Sequence, residues 1–375
     1  MLYLKYPKGL FAKANFYPRK AEKEIAMKHG LGIIGYGGMG GWHERMAQKS
    51  DVVELIAVYD IKEERNLLAE EKGIKAYRSL DEILSDERID IITIATPNDV
   101  HEEIAVKAMA AGKHVISEKP VTLSVESLER MVEASKKYGK RFSVHQNRRW
   151  DNNYILIKDL YHSGAIGKVF NIESRVHGSR GIPGDWRGIK KYGGGMLYDW
   201  GIHLIDQALM IDPDNKLDRL YCEFDHITND EVDDGFKLIM YFENGLRIHV
   251  EVGTCNFMSL PRFYIQGENG SGIVPDWEMP CTVVDCFKWS EDNVVPIKAA
   301  EGITKTMAPR NKESSKTYQI ELPKTDVHDY YRNFCAAIEG REELTVTHKQ
   351  MIRTLKVIEA AFESDAKKQV IKFEE

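Results

Sequence analysis

The chain has 375 residues, 43% of them hydrophobic and 29% charged, and carries a formal net charge of -6. That length exceeds what one simple core serves and predicts two domains. The acidic balance argues against a nucleic-acid partner, which asks for a basic face, and no apolar run of about 18 residues offers a membrane-spanning helix.

Residues 1–28 are basic and aromatic, without the continuous apolar stretch of a secretory signal, and read as an N-terminal arm or extension, with a second methionine, Met27, just before the first strand. From residue 29 to 148 short apolar runs alternate with amphipathic helical stretches. LGIIGYG is a strand entering a glycine turn, GMGGWHERMAQKS a helix, VVELIAVYD a strand and EERNLLAEEKG a helix. IDIITIATP, KHVISEKP and KRFSVHQ continue the strands; HEEIAVKAMAAG and SVESLERMVEASKKYG are the helices between them. This alternation predicts right-handed βαβ units and a parallel sheet covered on both faces, an α/β Rossmann-type domain.

Across 149–375 the pattern changes. A helix (NYILIKDLYHSGAIG) and a strand (KVFNIESRVHG) lead through a polar loop to GGGMLYDWGIHLID, after which strands follow strands. Asn244-Gly245 between two β-rich runs predicts a hairpin, with a type I′ turn expected. The second half is therefore expected to be an α+β domain with a large, mostly antiparallel sheet, closed by two C-terminal helices. An uncovered face of that sheet would be an apolar patch and predicts a homodimer or homotetramer. The five cysteines form no CxxC pair and read as reduced thiols of a cytoplasmic protein; no metal site is expected, since neither Cys281/Cys286 nor His203 finds enough further ligands at fitting spacing.

Gly35, Gly37, Gly38, Met39 and Gly40 form a G-x-G-x-x-G turn between a predicted strand and helix, and Asp60 lies 20 residues past Gly40 at the end of the next strand. That arrangement binds a dinucleotide: the glycines admit the pyrophosphate to a helix N-terminus, and the acid accepts from the ribose hydroxyls and repels a 2′-phosphate, favouring NAD over NADP. In GGGMLYDWGIHLID, Asp199 and His203 are four residues apart, on one face if the segment is helical. Such a pair suits either a solvated surface contact or a catalytic acid–base group. Lys119, before a proline at a strand end, likewise suits either a surface turn or a catalytic cation.

Thr96, Pro97 and Asn98, then His101, then Glu118-Lys119-Pro120, together with the glycine turn and Gly193–Asp206, resemble the Gfo/Idh/MocA oxidoreductases (glucose-fructose oxidoreductase, inositol 2-dehydrogenase and relatives) from about Leu31 to the C-terminus. The resemblance implies that Lys119, Asp199 and His203 are the catalytic group. It also implies that Thr96, Pro97, Asn98, His101, Glu118, Lys119, Asn147, Trp186 and Arg187 join the glycine turn in holding NAD. Trp150, Arg180, Asp185, Tyr192 and Trp200, with Arg149, are candidates for a carbohydrate or polyol pocket at the seam between domains. The activity so implied is hydride transfer between nicotinamide and a secondary hydroxyl of a sugar, cyclitol or glycoside. A redox-neutral glycosidase using the same NAD, or a non-catalytic NAD-binding regulator, are the alternatives.

Overall fold

The computed structural model describes residues 28–288, 294–310 and 312–375; the N-terminal arm expected over 1–28 lies outside these but for Lys28. The first domain runs β1 (His29–Ile34), α1 (Gly38–Gln48), β2 (Val53–Tyr59), α2 (Glu63–Glu71), β3 (Lys75–Tyr77), α3 (Leu80–Ser85), β4 (Ile91–Ile94), α4 (His101–Ala110), β5 (His114–Ser117), α5 (Val125–Tyr138) and β6 (Phe142–Val144). All six strands are parallel, in the order β3-β2-β1-β4-β5-β6. The central strands β1, β4 and β5 are buried on both faces, as their near-continuous apolar content requires; every residue of β4 is buried. Sequence order reverses between β1 and β4, so a crevice opens past their carboxyl ends, where ligands bind in such sheets. The short strand β3 went unpredicted: three half-exposed residues give no apolar run.

The second domain begins with α6 (Asn152–Ser163) and β7 (Val169–His177). A π-helical turn, Leu197–Gly201, leads into α7 (Ile202–Ile211). Then follow β8 (Leu217–Asp225), β9 (Gly235–Phe242), β10 (Arg247–Gly253), β11 (Phe263–Gly267), β12 (Gly270–Val274), β13 (Cys281–Cys286), the hairpin β14 (Ile297–Ala299) and β15 (Gly302–Thr304), and β16 (Ser315–Ile320). The helices α8 (Asp329–Ile338) and α9 (His348–Lys367) and a last strand β17 (Ile371–Lys372) close the chain. Nine strands form one sheet, β16-β13-β12-β11-β7-β10-β9-β8-β17, antiparallel except where β7 meets β10.

The Asn244-Gly245 hairpin joins β9 to β10 as expected, but its turn is not type I′. Gly245 alone has positive φ, its N–H donates to Phe242 O (3.0 Å) and Phe242 N donates to Leu246 O (2.9 Å). That is a three-residue loop, a type I turn closed by a left-handed glycine; the Asn244 side chain accepts from Leu246 N instead of its backbone entering the left-handed region.

Helices α7 and α9 pack on one face of the large sheet, where β8–β10 turn Leu220, Leu238, Met240, Ile248 and Val250 inward. The opposite face is mixed rather than wholly apolar: Ile239, Tyr241 and Tyr264 are half-buried on it and Ile273 is exposed. That face also carries a half-buried ion network, in which Arg175 pairs with Glu173 and with Glu251 (3.0 Å). Helix α8 crosses back to the first sheet. Tyr331 OH lies 3.1 Å from Thr93 Oγ1, His328 Nε2 lies 2.7 Å from Ser50 Oγ, and Arg332 Nε donates to Asp51 (3.0 Å).

Candidate active site

The turn after β1 is shaped by two close approaches. A Cβ on Gly35, whose φ is +89°, would lie 2.5 Å from Ala95 O, and one on Gly40 would lie 2.1 Å from Gly35 O. Gly37 and Gly38 differ: a Cβ there meets nothing within 4 Å, so their backbone faces open space. Helix α1 starts at Gly38 with no side chain capping it and no acid in its first turn. Bare N–H groups at an uncapped helix end, with room for an approaching group, fit the pyrophosphate of a dinucleotide. Met39 stands exposed beside them. At the end of β2, Asp60 Oδ2 accepts from Tyr36 N (2.7 Å) and Oδ1 from Lys62 N (2.9 Å), which fixes its carboxylate at the rim of the turn.

Across the crevice, Lys119 follows β5 in a cis peptide with Pro120. Its Nζ donates to Asp199 Oδ1 and to Asp199 O, both at 2.9 Å. Arg187 Nε donates to the other carboxylate oxygen of Asp199 (2.9 Å), and its NH1 to Asp185 (2.8 Å). Burial alone pushes the Asp199 pKa up, but the Lys119 and Arg187 charges outweigh it and hold the carboxylate below its ordinary value. His203 is buried, its Nδ1 3.2 Å from Gln146 Oε1. Burial, and after it the charges of Lys119 and Arg148, drive its pKa well below the ordinary imidazole value, so the ring is neutral and available as a proton acceptor at neutral pH. Asp199 and His203 thus share a side of their segment but bond apart: the acid clamps the lysine, and the glutamine holds the imidazole.

The segment carrying them is not a simple α-helix. Its first turn is π-helical, with Asp199 inside it, a feature that recurs at functional sites. The glycines before it are bare because of what presses on them. A Cβ on Gly194 would lie 2.3 Å from Arg187 O, and one on Gly195, at φ +103°, 2.1 Å from Asp233 Oδ1. The same Asp233 accepts from Leu197 N (2.7 Å) and caps the π turn. The glycines therefore let the loop bearing Arg187 lie against the helix bearing Asp199.

Beneath Lys119 lies a buried constellation that spacing did not disclose. Glu118 Oε1 is 2.8 Å from His43 Nε2 and 2.7 Å from His145 Nδ1, and Tyr331 OH is 2.8 Å from His43 Nδ1. The three ligand-type atoms lie within 4.8 Å of one another. Both imidazoles address one carboxylate oxygen at hydrogen-bond distance, which is closer than donors stand around a shared ion. Burial opposes the Glu118 charge, yet the two histidines hold its pKa well below the usual value. Glu118 also accepts from Lys119 N (3.1 Å), fixing the turn that aims the lysine.

The remaining sequence candidates separate. Asn98, buried, donates to Tyr192 O (3.1 Å) and joins the Thr96–Pro97 loop to the glycine-rich one. His101 is fully buried, with Nε2 3.0 Å from Thr96 O and Nδ1 3.2 Å from Pro120 O and Val121 O, so it braces the two loops and offers no free atom to a cofactor. Asn147 is half-buried at the crevice end of β6, and Trp186 stacks on its neighbour Arg187 (4.6 Å). Arg180 and Asp185 are exposed on the loop before the glycines, and Tyr192 and Trp200 are half-buried.

Arg149 and Trp150 are corrected by the structure. Arg149 is buried in a bidentate pair with Asp206 (2.6 and 2.7 Å) and also donates to Thr345 O and Gln350 Oε1. Trp150, 4% exposed, packs edge-on to Tyr330. Both are interdomain core. Their neighbour Arg148 is the one that reaches outward, its guanidinium carbon 4.3 Å from the centre of the Trp200 ring and 5.2 Å from that of Trp277. Gln146, Trp277 and Arg262 carried no signal in the sequence; Arg148 carried one, as a charge that follows the last parallel strand beside Arg149 and Trp150 at the seam between domains.

Residues 30–146 match the profile of an oxidoreductase family described as an NAD-binding Rossmann fold, and residues 154–272 match the GFO/IDH/MocA C-terminal domain. The crystal structure of an NAD-binding protein from Listeria innocua is 42% identical and superposes with a TM-score of 0.89, over 92% of this chain and 99% of that one. An uncharacterized oxidoreductase of Schizosaccharomyces pombe is 35% identical over 208 residues, 53% of this chain and 56% of that one, so the match spans little more than half of that relative. A scyllo-inositol 2-dehydrogenase (NADP(+)) of Bacillus subtilis is 27% identical over 348 residues, 92% and 96% of the two chains. An open glycine cradle, a lysine clamped by an acid beside a neutral buried histidine, and both matching domains lead to one conclusion: the chain belongs to the GFO/IDH/MocA family of oxidoreductases, with an NAD-binding Rossmann fold.

Proposed function

We propose that the protein is a dehydrogenase that oxidises a secondary hydroxyl of a sugar, cyclitol or glycoside, with residues 29–148 holding NAD and 149–375 holding substrate. The single observation that carries this reading is the Lys119–Asp199–Arg187 clamp beside a neutral, buried His203. Bound NAD supplies the hydride acceptor. The substrate hydroxyl sits between Lys119 and His203. His203 accepts the hydroxyl proton at its free ring nitrogen while Gln146 fixes the other one. Lys119 stabilises the charge developing on the oxygen, and Asp199 holds the ammonium in place without requiring reorganisation during the step. In reduction the same groups run in reverse.

The substrate class is supported by the name of the Bacillus subtilis relative, a scyllo-inositol dehydrogenase. Asp60 at the cradle rim favours NAD over NADP, although that relative is named for NADP(+). The uncovered outer face of the large sheet, where Ile239, Tyr241 and Tyr264 stand beside the Arg175–Glu251 pair, suits pairing of two copies through it, as a homodimer or homotetramer, in a cytoplasmic setting.

The test is NADH absorbance with purified protein, NAD or NADP, and a panel of sugars, inositols and glycosides. A steady rise with one class establishes the dehydrogenase. Absence of any rise across the panel, with NAD binding demonstrated, sinks the reading in favour of a redox-neutral member.

A further inference from the structure

Beyond His203 the crevice wall holds more positive charge than its own acids balance. Arg262, at the start of β11, is 3% exposed, yet no carboxylate lies within salt-bridge distance of it among the described residues. Its NH1 donates to Ser174 Oγ (2.7 Å) and Arg175 O (3.2 Å) and its NH2 to Gln207 Oε1 (3.3 Å), while Nε has no partner. A buried guanidinium held by neutral acceptors alone, with one donor orphaned, is costly unless something else neutralises it. Burial lowers its pKa to about 9, with Asp151 opposing and Arg148 adding to the shift.

The second guanidinium is close by. Arg148 reaches the same Trp277 ring, at 5.2 Å against 4.6 Å for Arg262, and Gln207 ties the two together by donating to Arg148 O (2.6 Å). Asp151 meets Arg148 through one oxygen at 3.2 Å, which leaves most of that guanidinium fork free. Two cations against one acid leave an excess of one positive charge. The excess adjoins the reacting centre, since the Trp200 ring that Arg148 covers lies 6.4 Å from the His203 ring. Trp277 stands half-buried on a loop whose neighbours Asp276 and Glu278 are exposed, and Arg262 lies behind it between the Trp277 and Phe263 rings.

We infer that the substrate oxidised at Lys119 and His203 carries an anionic oxygen group, a carboxylate or a phosphate, held by Arg148 beside Trp277, with the buried Arg262 adding its charge from behind. The free guanidinium fork of Arg148 matches the paired oxygens of either group, and the indole ring covers the adjoining apolar face of a sugar ring. This rests on the dehydrogenase reading but makes a separate claim about binding.

Calorimetry on the full chain with NAD, using matched pairs (glucose and glucuronate, myo-inositol and an inositol monophosphate), tests it. At least one anionic member is expected to bind about tenfold or more tightly than its neutral counterpart. Arg148→Gln, at a partly exposed position, is expected to erase that preference, and Arg262→Gln to do the same if it folds. The carboxylate and phosphate arms show which anion is taken. Equal binding within both pairs, a preference that survives Arg148→Gln, or no binding of any member while NAD still binds overturns the inference. The two readings fail separately: turnover of neutral substrates without preference defeats this one alone, and anion preference without any turnover defeats the dehydrogenase alone.

Discussion

Lys119 and Asp199, 80 positions apart and on different domains, meet through two hydrogen bonds from one ammonium, to the aspartate's carboxylate and to its carbonyl, each 2.9 Å long. The double contact fixes both the position and the direction of the lysine, and it ties the crevice walls together at the point where chemistry is expected. Removing the lysine should therefore be selective. Lys119→Ala is expected to lower kcat/KM by roughly a hundred- to a thousandfold, the usual loss for one preorganised charge donor. NAD affinity should stay largely intact, because the glycine cradle is untouched. Steady-state kinetics and cofactor titration of the same preparation check both halves, and wild-type-like turnover would refute the assignment of Lys119.

The imidazole of His203 predicts a pH profile. Its pKa in the folded protein is depressed from an ordinary 6.5 by burial, with Lys119 and Arg148 adding to the shift. A depressed base is neutral in the native state, so its contribution to stability is present above about 6.5 and lost as pH falls through the lower folded value. The kcat/KM for oxidation should accordingly be flat at neutral pH as far as this group controls it, with an acid limb displaced below 6.5. His203→Asn should abolish that limb and cost about a hundredfold or more in rate. An acid limb unchanged in the mutant would assign the titration to another group.

Asp60 predicts cofactor choice. Its carboxylate is fixed at the cradle rim by Tyr36 N and Lys62 N, so it presents a charge at a defined place. Asp60→Ser keeps a small acceptor and removes the repulsion. It is expected to shift the ratio of kcat/KM for NADP over NAD upward by about tenfold or more, about 1.4 kcal/mol. An unchanged ratio would show that the ribose end of the cofactor lies elsewhere.

The parts of this molecule that were legible in the sequence are those with a local physical cause. Doubly buried parallel strands read as apolar runs, and the glycine turn after β1 has fixed spacing. Short motifs singled out Lys119, Asp199 and His203 as candidates, but not how they bond. A 3.6-residue period paired Asp199 with His203, whereas the π turn sends the carboxylate to Lys119 and Arg187. Gln146 and Arg148 lie on one turn after β6, Arg262 and Trp277 more than a hundred positions later on either side of β11 and β12, and no periodicity announces a meeting at that separation. Adjacent residues were also confused. In the turn Asn147–Trp150, Arg148 faces outward while Arg149 and Trp150 are buried, and a sequence of two arginines and a tryptophan does not say which points where.

That correction predicts an effect on stability rather than specificity. Arg149→Ala leaves Asp206, 2% exposed, without its bidentate partner. Stranding a buried charge costs about 3–5 kcal/mol, so the melting temperature should fall by several degrees. Any folded fraction should keep its substrate KM. A change in KM at unaltered stability would return Arg149 to the substrate pocket.

The two glycine loops should respond in opposite ways to the same added methyl. At Gly38 a Cβ meets nothing within 4 Å and the residue opens α1, so Gly38→Ala should leave stability unchanged or slightly higher. The methyl does intrude on the open cradle, and NAD affinity should fall by about tenfold or more if the pyrophosphate lies there. At Gly195 the φ of +103° strains any side chain, and the Cβ would sit 2.1 Å from Asp233 Oδ1, the oxygen of a residue that caps the π turn. Gly195→Ala should cost about 2–4 kcal/mol, combining backbone strain with displacement of the cap. Because the displaced segment carries Asp199, turnover should fall further than the folded fraction explains. Thermal unfolding and cofactor titration of the two variants, run side by side, separate a loop shaped to receive a ligand from one shaped to receive its own helix. Equal thermal losses in both variants would mean that the first loop is packed rather than open.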